Sequence, residues 1–211
     1  MSLTRSTIAC IGVAVALAGC QAVPPGPATR VPIHSYCSEA LAEVRTVGIM
    51  PFTGQVKPAR VPEEITEAFV TQLEALGRFR VAAAREPSGR LLAPPGLTQG
   101  AALTVEGLIQ ARKQAGLDAV IVGRITQYQP YGSPVLGLDV QMVSCKTGEV
   151  DWSASAVFDS SRPEVLGRLK QYCRSRQPGE GASDAWRDVL ASPRGYAQFV
   201  SHELVAEIVA K

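Results

Sequence analysis

The chain has 211 residues, 46% of them apolar and 19% charged, which is enough material for one hydrophobic core of ordinary domain size. Lysine and arginine number 21 against 19 aspartates and glutamates, so the net charge of +2 offers no dense basic face to nucleic acid. Only His34 and His202 carry imidazole, which excludes a site built from several histidine ligands.

Arg5 gives the chain a positive start, and Ile8 to Leu17 (IACIGVAVAL) follows as an uncharged apolar run of 10 residues. That is the length of a signal-peptide core and about half of a membrane span. Small residues and a thiol come next, in Leu17-Ala18-Gly19-Cys20. This segment resembles the lipobox of bacterial lipoproteins. The resemblance implies a signal peptide over 1–19, cleavage before Cys20, a diacylglyceryl thioether on its sulfur and a further acyl chain of the palmitate type on its amine. Each buried methylene contributes about 0.8 kcal/mol, so two or three chains hold a protein stably in a bilayer. Gln21, where an aspartate would retain a lipoprotein at the inner membrane, implies the outer membrane with the protein facing the periplasm. The alternative is an ordinary secretory signal with Cys20 as one cysteine among five.

Gln21 to Pro32 (QAVPPGPATRVP) holds four prolines and a glycine and reads as an extended, semi-rigid tether. Residues 20–35 are thus expected to form the lipidated Cys and Pro-rich tether, and residues 36–211 a single globular domain.

Arg45 to Phe52 (RTVGIMPF) is apolar on both parities and predicts a buried central strand. Pro62 opens a helix to Leu76, with acidic residues in its first turns and Gly77 as its stop. Arg78 to Ala83 predicts a strand, and Glu86 to Gly100 a loop. Thr104 caps a helix to Ala115, ended by Gly116. Asp118 to Tyr128 predicts a second central strand, Pro130 to Pro134 a turn, and Leu136 to Met142 and Val150 to Phe158 two half-exposed strands joined at Lys146-Thr147-Gly148. Helices are predicted over Arg162–Arg176 and from Ser192-Pro193 onward, with a break at Pro178–Gly181. The order β-α-β-α-β-β-β-α defines a mixed α/β (α+β) fold. Its mixed sheet has about five strands and an antiparallel C-terminal meander, and it is packed in two or three layers.

Pro51-Phe52, then Asp118-Ala119-Val120-Ile121-Val122-Gly123, then Thr147-Gly148-Glu149 and Trp152 together resemble the pattern of the CsgG, LpoB and TolB N-terminal-domain-like envelope lipoproteins. The resemblance covers about two thirds of the mature chain. It implies the fold above and a non-enzymatic, protein-binding or self-associating role in the envelope. Its motifs specify turns and packing, not chemistry. The segments left outside this sheet, the loop Glu86 to Gly100 and the tail after Asp159, do not alternate as a barrel strand must, so a channel is not expected.

Catalytic parts are missing from the sequence: there is no nucleophile elbow, P-loop, dinucleotide fingerprint or metal-ligand spacing. No catalytic residue, cofactor or metal is therefore expected. The pairs Glu63–Glu67 and Glu203–Glu207 read as surface charge. Without Cys10 and Cys20, Cys37, Cys145 and Cys173 remain, and the placement of helices and strands favours one Cys37–Cys173 disulfide, with three buried thiols as the alternative. The turn after the second central strand supplies the candidate partner contacts Tyr128, Pro130 and Tyr131, since tyrosines on a rigid turn bury area at small entropic cost. The alternative is that Tyr128 packs on the sheet and Tyr131 only covers the turn. The Pro-rich loop Leu91–Gly96 is a weaker second candidate.

The lead expectation is a lipid-anchored assembly or accessory module that binds an envelope protein or itself and takes no nucleic acid. The alternatives are a subunit of a CsgG-like secretion complex, and a small-ligand-binding or enzymatic envelope domain.

Overall fold

The computed structural model describes residues 31–176 and 184–209. The expected signal peptide, Cys20 and the break at 178–181 lie outside the described residues. Among the described residues, six strands form one sheet: β1 His34–Cys37, β2 Thr46–Ile49, β3 Arg80–Ala82, β4 Ala119–Gln129, β5 Val135–Ser144 and β6 Val150–Asp159. The helices are α1 Val61–Leu76, α2 Val105–Ala115, α3 Pro163–Arg176, α4 Ala185–Ala191 and α5 Pro193–Ala206.

The spatial order is β1-β6-β5-β4-β2-β3. β2 lies parallel to both β3 and β4, and the remaining pairs are antiparallel. The chain leaves β2 toward β3 and then returns past β2 to β4. Two crossovers of the same hand running in opposite directions put their helices on opposite faces. Accordingly α1 packs with α3 and α5 over one face, in a core that includes Ile49, Phe69, Trp152 and Phe199. α2 covers the other face beside Met50, Leu117 and Val120. The result is three unequal layers. The second face of β5 and β6, with Asp139, Gln141, Ser153 and Ser155, is half-buried or exposed.

The sheet has one more strand than expected. His34 and Ser35, assigned above to the tether, belong to β1, which sets His34 opposite Ser155 and Cys37 opposite Trp152. Four residues whose exposure alternates are too few for periodicity to stand out, and cross-strand pairing with β6 is what fixes them. The short helix α4 was also not anticipated.

The residues that carried the family resemblance have structural duties. The Asp118 carboxylate accepts the backbone N–H groups of Arg45 and Thr46 at 3.0 and 2.9 Å, joining the entry of β4 to that of β2. Phe52 packs its ring on Phe69, and its N–H donates to the Thr66 hydroxyl at 2.9 Å. Gly123 leaves room for that ring. Gly148 turns the β5–β6 connection with a φ of 76°, a left-handed value that glycine adopts without penalty. Trp152 is fully buried in the middle of the larger core.

Candidate protein-binding groove

The groove begins where β2 ends. After Pro51 and Phe52, the chain touches β4 once more at Thr53. Its N–H donates to the Gly123 carbonyl at 3.0 Å, and its carbonyl accepts from the Ile125 N–H at 2.8 Å. Gly54 lies directly on Ile125, where a Cβ would stand 2.9 Å from the Ile125 Cβ. The chain then swings away through Gln55, Val56 and Lys57. Between this loop and the second half of β4 lies an open groove of about 960 Å³.

Its floor is shaped by a bulge in β4 between Ile125 and Gln127, opposite Gly137 of β5. A side chain on Gly137 would strike the Thr126 hydroxyl, so the bulge requires glycine on its partner strand. Two of the three expected contact residues, Tyr128 and Pro130, line the groove. Tyr128 is half-buried and also packs against the larger core, and this burial pushes its hydroxyl pKa up. The third, Tyr131, stands at the hairpin tip with 72% of its surface exposed. The tip is braced from within: the Gln129 amide donates to the Ser133 carbonyl at 3.2 Å, and Gly132 takes a φ of 78°. The two tyrosines therefore divide the alternatives, Tyr128 resting on the sheet and Tyr131 projecting into solvent.

The weaker candidate, the loop Leu91–Gly96, is exposed at Leu92, Pro95 and Gly96 and anchored at its two ends. Leu91 is 3% exposed and belongs to the larger core, and Gly96 presses its backbone against Gly107 of α2. The Cys37 thiol is half-buried at the end of β1, whereas Cys145 and Cys173 are buried. All three are free thiols. Cys37 and Cys173 share the larger core, and Cys145 lies across the sheet in the smaller one. Burial pushes the Cys145 thiol up to about 11.

Several acidic and histidine side chains have structural partners. The pair Glu203–Glu207 is not plain surface charge: Glu203 is 5% exposed and forms a 2.7 Å ion pair with Arg168. Burial raises its pKa despite that arginine. Glu207 accepts from the Ser35 hydroxyl, and Glu67 is held by Arg85. His202 is half-buried against the Tyr172 ring at 5.1 Å, and desolvation together with Arg176 and Arg168 holds its pKa below the usual range. Among the described residues, no three His, Cys, Asp or Glu side chains are grouped to hold a metal. No helix there is long and apolar enough to cross a membrane.

The fold and the groove define a class: a mixed α/β module with a braced hairpin and a partly open strand edge. No family model matches the sequence, and no curated protein matches it. Among solved structures, the L103M PelC dodecamer from Paraburkholderia phytofirmans is similar at TM-score 0.45 and 15% identity, over 77% of this chain and 98% of that one. Lipoprotein GNA1162 from Neisseria meningitidis is similar at TM-score 0.43 and 17% identity, over 62% and 94%. The LpoB C-terminal domain from Escherichia coli is similar at TM-score 0.37 and 18% identity, over 54% and 81%. Function therefore rests on the chain's own residues.

Proposed function

We propose that the chain is a lipid-anchored protein of the cell envelope, held at the outer membrane on its periplasmic side. There it works without catalysis, as an assembly or accessory module that binds another protein. The observation that carries the reading is the end of the sheet at which an exposed tyrosine on a braced hairpin adjoins an open groove. Rigid aromatic side chains beside an accessible concavity are the usual anchors of protein interfaces. The membrane anchor is the Cys20 acyl group implied by Leu17-Ala18-Gly19-Cys20.

A photo-cross-linking residue in place of Tyr131, in the full chain within its own envelope, tests the binding site. One discrete covalent adduct with an envelope protein is expected, and it should vanish when Tyr128 and Pro130 are also replaced. Absence of any adduct from the hairpin and the groove would remove the reading. Cys20→Ser should abolish acyl labelling and leave the chain uncleaved or soluble.

A further inference from the structure

We propose that the groove captures an extended, acidic segment of a partner protein by adding it as a short strand to the free edge of β4. The proposal rests on the protein-binding reading above and specifies how the binding is made.

β4 is 11 residues long, but its neighbour on the α1 side is much shorter. β2 pairs only with Ala119, Val120 and Ile121, and Thr53 adds a single bridge at Arg124. Beyond that bridge, β5 pairs with one side of β4 as far as Gln129, and no described strand pairs with the other. The residues Thr126 to Gln129 thus present backbone groups along an unfilled side of the sheet, and the loop Gln55–Lys57 stands off as the far wall.

A sheet edge with unpaired backbone groups is a template for another strand, which needs about 4.8 Å of lateral room. Pro130 ends the template, because it has no N–H to offer. The bulge at Ile125 and Gln127 twists the edge away from flat pairing. A template this short and this twisted accepts a brief segment in one register and resists extended aggregation.

The chemistry of the segment follows from the lining. Lys57 and Arg124 both line the groove, and no carboxylate does. Arg124 shares its charge with Asp139 at 3.4 Å, while Lys57, among the described residues, has no ion-pair partner. Alternate side chains of an added strand would point to the two faces of the sheet, so an acidic residue at every second position would meet this positive wall.

The test uses the full chain in detergent and a peptide of about six residues that alternates glutamate with threonine or valine. Binding read by fluorescence anisotropy is expected for this peptide and not for its lysine counterpart. Amide shifts should be confined to Thr126–Gln129 and the facing loop. Methylating the peptide's alternate backbone nitrogens, which keeps every side chain, should weaken binding roughly tenfold or more. Lys57→Glu, on an exposed loop, should weaken the acidic peptide by about as much.

Equal binding of the methylated peptide would overturn strand addition. If Tyr131 still gave its adduct, the protein-binding reading would survive that result. A failure of the acidic peptide to bind would likewise overturn the proposal. So would a dimer of the chain alone that protects the same amides, because a second copy would then be the occupant.

Discussion

The ring of Phe52 fills the space in which Gly123 would carry a side chain. A Cβ at Gly123 would lie 2.5 Å from the Phe52 Cδ1 and Cε1 atoms. The contact locks the end of β2 onto the middle of β4 and so sets where the following loop leaves the sheet. Gly123→Ala must therefore displace a fully buried ring, at about 1–3 kcal/mol or more, the range for overpacked cores. In the double variant with Phe52→Leu, part of this cost should disappear, giving a favourable coupling in a urea-denaturation cycle. Additive losses would show that the ring moves freely aside.

Asp118 fastens two strands. Asp118→Ala leaves the N–H groups of Arg45 and Thr46 without their acceptor, and Thr46 is buried. A loss of about 1–3 kcal/mol is expected, since a buried donor then keeps its full desolvation cost. Asp118→Asn retains one acceptor oxygen and should lose less. Equilibrium unfolding of the two variants against the native chain checks the order.

His202 should make stability sensitive to mild acid. The groups that face it are the Tyr172 ring, Arg168 and Arg176 on α3, with Glu203 beside it on α5. Its folded pKa is lowered from the ordinary 6.5, first by burial and then by the two arginines. The unfolded chain therefore takes the proton first as pH falls. The contribution of this group is complete above 6.5 and is lost as pH drops below it. Glu203 acts in the opposite sense, because its folded pKa is raised above 4.5 and its contribution fades as pH rises. The difference between the native chain and His202→Gln isolates the imidazole. From about pH 7.5 to about pH 5.5 the native chain should lose more stability than the variant, measured by denaturant midpoints.

The thiols should differ in reactivity. Cys145 is buried, and its pKa is pushed up to about 11, so at about pH 8 almost none of it is thiolate. Burial also raises the pKa of Cys173. Cys37 is half-buried on the edge strand and should be alkylated first in the folded protein, with the other two labelled only after denaturation. A Cys37 that stays unlabelled in the native protein until a reductant is added would overturn this order.

Those elements that rest on local rules could be read directly from the chain. Helix α2 runs from its Thr104 cap, whose hydroxyl accepts the Gly107 N–H, to the left-handed Gly116, because both ends carry their stop signals in their own side chains. The meander β4–β5–β6 shows itself as alternation interrupted by turn residues. Even the turn that carries Tyr128, Pro130 and Tyr131 was marked by its own residues. Partnership was not legible. β1 exists because β6 offers His34–Cys37 a ladder, and four residues carry too little periodicity to announce it. Glu203 looks like surface charge until α3 brings Arg168 over it.

The groove was equally hidden. It arises from a difference in length between β2 and β4 and from the close seat of Gly54 on Ile125, relations between segments about 70 residues apart. The sequence determined which stretches become strands, helices and turns, because periodicity and caps act within a few residues. Only the tertiary structure decided which edges were left unpaired and which charges were buried, because those depend on what the rest of the chain places beside them.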